Sequence, residues 1–217
     1  MKPLRRSFDR LARGYRVLEF VAFGRDLERA RFCFLEELRD CRSLLVLGEG
    51  DGRCLARLVR LAPEARIHCV DSSGAMLALA SSRLAGTGCA ERVVFELADA
   101  FALGLPPAHY DAVVTFFFFD CFPAGQVSLL VERLRPSLRP GARWLWADFA
   151  LPPAGWARWR ARVWVAVLYA FFRWQTGLPA RELPPTESIL ERSGLRREGV
   201  RDFQQGLVRS AWYTAPR

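Results

Sequence analysis

At 217 residues, 51% of them hydrophobic, the chain is long enough for one compact domain built on a sheet covered on both faces. No stretch reaches the roughly twenty apolar residues that span a bilayer: the runs 112–119 and 163–172 are too short, and the arginine-studded residues 1–16 lack the apolar core of an export signal. The net charge of +9 rests on arginine, because Lys2 is the only lysine, and that bias points to coding composition more than to a nucleic-acid surface.

The six cysteines, at 33, 41, 54, 69, 89 and 121, form no CxxC pair. Several fall inside expected core elements, which predicts reduced, buried thiols in a cytoplasmic protein and neither a disulfide frame nor a zinc site. Basic patches at Arg5, Arg6, Arg10, Arg13 and Arg16, and at Arg158, Arg160 and Arg162, are candidates for contact with phosphate or with the inner face of an anionic membrane.

In chain order, residues 1–40 read as a mostly helical cap, with Leu11, Tyr15, Leu18 and Val21 at helical spacing. A strand is predicted over 43–47, then a glycine-spaced turn, Gly48-Glu49-Gly50-Asp51-Gly52, and a helix over 54–61. A strand over 66–70 runs into Asp71, with Ser72 expected to cap a helix over 74–84. The strand over 93–97 ends in Ala98-Asp99-Ala100. The strand over 111–117 is so apolar that it belongs at the sheet centre. A helix from 124 stops near Pro136, Pro140-Gly141 reads as a turn, and a fifth strand covers 143–147. Then come a long helix over 156–175, a short one over 186–193, and two runs, 195–203 and 207–214, that read as a closing antiparallel hairpin. Strands alternating with helices at this spacing predict a doubly wound, mostly parallel α/β sheet.

The glycine turn carries the chemistry. Closely spaced glycines let backbone approach a ligand, and the free N–H groups of the following helix point into the same space. Asp71 ends the next strand about twenty residues on, where such sheets hold a ribose through its hydroxyls. A nicotinamide dehydrogenase is disfavoured, because Gly48-x-Gly50-x-Gly52 is tighter than G-x-G-x-x-G and Arg53 stands where the third glycine is expected.

The segments Leu45-Val46-Leu47-Gly48-Glu49-Gly50-Asp51-Gly52, Val70-Asp71-Ser72-Ser73-Gly74-Ala75-Met76-Leu77, Leu97-Ala98-Asp99-Ala100 and Leu138-Arg139-Pro140-Gly141 occur in that order. Together they resemble the class I S-adenosylmethionine-dependent methyltransferases, closest in style to the small-molecule enzymes of ubiquinone and menaquinone biosynthesis. Phe8 to Tyr15 also resembles the helix that folds over the cofactor in that group. The resemblance implies a Rossmann-like sheet of seven strands with an antiparallel C-terminal hairpin and a helical lid. It divides the single domain into a cap (1–40), a cofactor core (41–150), a lid (151–190) and closing strands (191–217).

By that resemblance, Gly48, Gly50 and Gly52 would wrap the methionine half of S-adenosylmethionine, and Asp71 would hold the ribose. Ser72 and Met76 would flank the adenine, Asp99 and Ala100 would contact its ring, and Phe116 with Phe117 would stand near the sulfonium. One departure stands. Val46 occupies the position, two before the first glycine, where the family carries an acid. Glu49 or Asp51 is the candidate to take over, and both are open to being solvated loop acids.

Methyl transfer from a sulfonium needs alignment above all, with a general base added where the acceptor is a hydroxyl or an acidic carbon. Asp120 and Asp148, just past the fourth and fifth strands, are the candidate bases, or else local caps, and Tyr15 is a candidate hydrogen-bonding group from the cap. No metal ligand set is expected. The helix over 156–175 carries Trp156, Trp159, Trp164, Tyr169, Phe171, Phe172 and Trp174 with interleaved arginines. It reads as the wall of an apolar or aromatic acceptor pocket, as a helix lying in a lipid headgroup layer near a lipid or quinone-like acceptor, or simply as a helix packed on the sheet. A non-catalytic binding protein that kept the fold is the further alternative. A nucleic-acid methyltransferase is disfavoured, because Phe116-Phe117-Phe118-Phe119-Asp120 stands where an Asn/Asp-Pro-Pro-aromatic motif would follow the fourth strand.

Overall fold

A computed structural model describes residues 25–152, 154–176, 180 and 182–217. Tyr15 and the expected helix over 8–15 lie outside the described residues. Seven strands form one sheet in the order β3-β2-β1-β4-β5-β7-β6. They are β1 (Ser43–Leu47), β2 (Arg66–Asp71), β3 (Val93–Leu97), β4 (Tyr110–Phe116), β5 (Leu138–Phe149), β6 (Arg196–Phe203) and β7 (Val208–Thr214). Strands β1 to β5 run parallel, while β7 pairs antiparallel with both β5 and β6. The doubly wound sheet with a closing hairpin is the one expected from the sequence.

Helices α1 (Asp26–Phe32), α2 (Arg53–Leu61) and α3 (Gly74–Leu84) share a core with one sheet face through Leu27, Leu55, Leu58, Ala80 and Val46. Helices α4 (Ala124–Leu134) and α6 (Thr186–Arg192) cover the other face through Val127, Leu130, Ile189 and Leu190, against Leu45, Val113 and Trp144. The long helix α5 (Gly155–Thr176) turns Ala161, Val165 and Tyr169 inward. Strand β4 is central and buried along nearly its whole length, as its composition predicts. Arg92 closes the C-terminal end of α2: its guanidinium donates to the carbonyls of Val59, Ala62 and Ala65, in the last turn and the loop after it, at 2.6, 3.1 and 3.2 Å.

Two sequence expectations need correction. Ser73, not Ser72, caps α3; its Oγ accepts the Met76 N–H at 3.2 Å, and its extended backbone (φ −105°, ψ 114°) is that of an N-cap. Pro140-Gly141 is a bulge inside β5 rather than a turn before it. Leu138 pairs with Tyr110 and Arg143 with Ala112, so residues 139–142 bow out opposite Asp111 alone. Asp111 accepts the backbone N–H groups of Arg42 and Ser43 and an Arg139 guanidinium at 2.7 Å, which pins that bulge to the start of β1.

Between β6 and β7, Gln204 (φ 52°) and Gln205 (φ 56°) both adopt left-handed backbone, as a tight hairpin turn demands. The turn is held from two sides. Gln204 Nε2 donates to Asp26 of α1 at 2.6 Å, and Arg160 of α5 donates to the Gln204 carbonyl at 3.1 Å.

Candidate active site

The parallel strands deliver their C-terminal ends to one edge of the sheet, where open α/β folds place ligands. There β1 ends in the glycine turn, β2 in Asp71, β3 just before Asp99, β4 in Phe116 and β5 in Asp148-Phe149.

The three glycines of the turn all have positive φ, at 66°, 73° and 82°, but their surroundings separate them. A Cβ on Gly48 would sit 2.5 Å from the Phe118 ring, and one on Gly52 would sit 2.5 Å from the Ala80 backbone. Both are glycine because neighbours pack onto them. A Cβ on Gly50 would meet nothing within 4 Å, so the middle of the turn presents backbone to open space. Open backbone at that point is compatible with a methionine moiety at the turn, where the resemblance sets it.

The two acids of the turn behave differently. Glu49 Oε1 accepts the Leu55 N–H at 2.9 Å, so its carboxylate lies over the first turn of α2. Burial pushes its pKa up to about 7, against the opposing pull of the Leu55 and Cys54 N–H groups and of Arg31. Asp51 turns sideways instead. It meets Arg53 at 3.0 Å and Arg83 at 3.3 Å, pinning the loop to α3. Val46, where the resemblance expects an acid, is buried in the core between sheet and helices.

Asp71 Oδ1 accepts the Ser73 N–H at 2.9 Å, which orients its carboxylate at the end of β2. Ser72 is half-buried beside it, and Met76 is buried on the first turn of α3. Asp99 is exposed and accepts the Phe101 N–H at 3.0 Å, with Ala100 opening the short turn that follows.

Beyond β4 the chain is strained and aromatic. Phe116 is buried in the core, while Phe117 takes a left-handed conformation (φ 51°) that a bulky residue rarely adopts. Its N–H donates to the Ala147 carbonyl at 2.7 Å, its ring meets Phe149 edge-on at 5.5 Å, and the Arg31 guanidinium lies 4.7 Å from its centroid. Phe118, rather than Phe116, packs on the glycine turn, and it continues through Phe122 (5.2 Å) to Phe101 (5.3 Å). Phe101, Phe117, Phe118, Phe122 and Phe149 are all half-exposed and form an apolar rim beside the cradle.

Asp120 and Asp148 come together under this rim. Asp148 is 2% exposed; its Oδ2 accepts the Asp120 N–H at 3.0 Å and its Oδ1 the Phe149 N–H at 2.9 Å. Burial and the neighbouring Asp120 charge hold its carboxyl well above the usual range. Asp120 is half-buried, beside the Cys121 thiol at 3.5 Å, and burial pushes its pKa up to about 6. The Tyr169 hydroxyl of α5 donates to the Asp120 carbonyl at 2.9 Å. Both Asp148 carboxylate oxygens therefore accept backbone N–H groups, while Asp120 stays partly exposed beside Cys121.

Arg31 carries no special signal in the sequence, and Phe118 and Tyr169 stand out there only as members of aromatic runs. Arg31 acts electrostatically on both Glu49 and Asp120 and so links the two halves of the site. His68 lies within β2, bonded to Tyr110 at 2.8 Å and Glu96 at 2.7 Å, and His109 is exposed at the opposite edge of the sheet.

Residues 44–141 match a protein family described as a methyltransferase domain. S-adenosylmethionine is the cofactor such a domain implies. No curated protein sequence matches the chain. Among solved structures, mitomycin 7-O-methyltransferase MmcR resembles it with a TM-score of 0.68 at 20% identity, over 96% of this chain and 60% of that one. Haemonchus contortus phosphoethanolamine N-methyltransferase 2, in complex with S-adenosylhomocysteine, gives 0.65 at 16% identity over 86% and 52%. The [4+2]-cyclase SpnF gives 0.62 at 15% identity over 85% and 79%. At these identities the likeness is one of fold. The methyltransferase-fold chain spans only 60% and 52% of the length of the two methyltransferases.

Proposed function

We propose that the chain transfers a methyl group from S-adenosylmethionine to an apolar or aromatic small molecule. The observation that carries this reading is the open cradle at Gly50, flanked by Asp71 and Asp99 on one side and by the half-exposed phenylalanines on the other. Gly48 to Gly52 and Glu49 would hold the methionine half, Asp71 the ribose, and Ser72, Met76, Asp99 and Ala100 the adenine. The cofactor brings an electrophilic methyl group and its own leaving group, S-adenosylhomocysteine. What this chain adds is alignment and exclusion of water, an effect worth roughly 7–11 kcal/mol in well-oriented systems. A new bond forms from acceptor to methyl carbon as the carbon–sulfur bond breaks, and any acceptor proton passes to a base. Asp120 would take that proton, and its raised pKa suits a base working near neutral pH. Asp148 acts through it, by fixing the backbone from which it projects. The order of the motifs also supports the ubiquinone/menaquinone type within the family.

The test is calorimetric titration with S-adenosylmethionine and S-adenosylhomocysteine, beside Asp71→Ala, followed by transfer of labelled methyl to a panel of phenolic and quinol acceptors. Micromolar binding that Asp71→Ala removes supports the cofactor site. Binding without transfer to any acceptor favours a protein that keeps the fold for other work, as the cyclase neighbour illustrates for this architecture. No binding sinks the reading.

A further inference from the structure

Helix α5 has two apolar faces, and among the described residues only one of them is buried. At about 100° per residue, Ala161, Val165 and Tyr169 form one stripe, and all are buried against the rest of the chain. On the opposite side, Trp156, Trp159, Val163 and Val167 recur at i, i+3, i+7 and i+11 and stand in solvent. Trp156 is 71% exposed and Trp159 56%, and their rings stack at 4.6 Å. Trp164 and the exposed Ala166 and Ala170 widen the stripe. Single exposed apolar residues need no explanation, but a continuous stripe on one helix does.

The charge on the helix says what covers it. Four arginines, at 158, 160, 162 and 173, lie within its twenty-two residues, which contain no aspartate or glutamate; Arg158 and Arg160 donate to the carbonyls of Pro152 and Gln204. Arg162 is exposed beside the stripe. A second copy of the same helix would bring arginine towards arginine. An acid-free helix with tryptophans on its outer side fits the boundary layer of an anionic bilayer, where indole rings settle at headgroup level and guanidinium groups meet lipid phosphates. No helix among the described residues is long and apolar enough to cross a membrane, so the contact would lie in the plane of the surface. We infer that the outer face of α5 docks on anionic phospholipid membranes, its apolar stripe sinking about 5–10 Å into the headgroup–acyl boundary. The inner face of the same helix bonds to Asp120 through Tyr169, so docking would set the candidate site at the membrane surface. The corollary that the methyl acceptor is drawn from the bilayer rests on the function proposed above; the docking itself does not.

The experiment is flotation of the full chain, without cofactor, with vesicles of phosphatidylcholine alone or mixed with phosphatidylglycerol. Quenching of tryptophan fluorescence by brominated acyl chains is read in parallel. The expected result is flotation with the mixed vesicles only, weakened by salt, with quenching. A Trp156→Ser/Trp159→Ser double variant should bind about 100-fold more weakly, and Arg162→Glu about tenfold. Both alter exposed side chains, and unchanged thermal melting shows that the fold is intact. Absence of flotation overturns the inference, as does a double variant that floats like the wild type. So does a dimer in sedimentation that the double variant dissolves, which would assign the face to a second copy. Because vesicle binding is read without cofactor, its failure leaves the methyl-transfer reading untouched, and the reverse also holds.

Discussion

The Tyr169 hydroxyl, on the inward face of α5, donates a hydrogen bond to the backbone carbonyl of Asp120 at 2.9 Å. One bond thereby joins α5 to the segment that carries the candidate base, and burial together with the Asp120 and Asp148 charges holds the phenol protonated, as the donor.

Tyr169→Phe should cost about 1–1.5 kcal/mol in urea unfolding, the usual net worth of a buried hydrogen bond. The more telling effect is local. Protease cleavage within α5 should accelerate, while S-adenosylmethionine affinity, set at the other end of the cradle, should stay within about twofold. Equal loss of lid protection and cofactor affinity would show that the two regions are not separable.

The glycine turn predicts a split between stability and binding. Gly52→Ala drives a methyl group into the Ala80 backbone at 2.5 Å, and Gly48→Ala drives one into the Phe118 ring at the same distance. The ring can shift and the α3 backbone cannot, so Gly52→Ala should destabilise the more, by about 3 kcal/mol, with Gly48→Ala at about half that. Gly50→Ala meets no neighbour and bears only the left-handed backbone cost, about 1 kcal/mol. On the proposed reading it should nonetheless lose the most cofactor affinity relative to its stability loss, because the new methyl group would enter the open space at the turn. Urea titration and calorimetry on the same three variants decide it.

Much of this arrangement was legible in the sequence, for physical reasons. Strands β1 to β4 are short apolar runs bounded by glycine, proline or acid, and tertiary context only moved their ends by a residue. The bulge in β5 was not legible: Pro140-Gly141 reads locally as a turn, and distant partners hold it in the strand, Asp111 through Arg139 and the Pro216 carbonyl through the Gly141 N–H. Ser72 and Ser73 are alike in composition; the choice between them is settled by which one has extended backbone with its Oγ at the Met76 N–H. The roles of Asp51 and Glu49 depend on Arg83 and on the first turn of α2, which lie outside the motif itself. Arg31 is one arginine among many until α1 docks beside Phe117.

Stability should fall as pH rises from 5 to 8. Glu49 and Asp120 have folded pKa values of about 7 and about 6, raised by burial above their ordinary carboxylate values. Between those limits the folded chain keeps protons that the unfolded chain has released, so stability is fullest below pH ~4 and is lost as pH passes each folded pKa. Asp111, whose pKa is lowered by its partners, gains its stability at lower pH and does not offset this. With each unit worth about 1.4 kcal/mol and both groups half-buried, a decline of about 2–4 kcal/mol is expected in urea midpoints between pH 5 and 8. Asp120→Asn should flatten the profile near pH 6. A stability that rises over this range would contradict the burial of both carboxyls.

Arg31 supplies the last test. Its guanidinium lies over the Phe117 ring and draws down the carboxyls of both Glu49 and Asp120. Arg31→Met keeps the aliphatic bulk and removes the charge, so both carboxyls should titrate higher, Glu49 by more than Asp120. Carboxyl resonances of the 13C-labelled protein report this directly, with no acceptor needed. If Asp120 takes up the acceptor proton, the pH at which methyl transfer becomes half-maximal should move upward by the same amount as its resonance. Movement of Glu49 alone would confine Arg31 to the cofactor end of the site and separate it from the base.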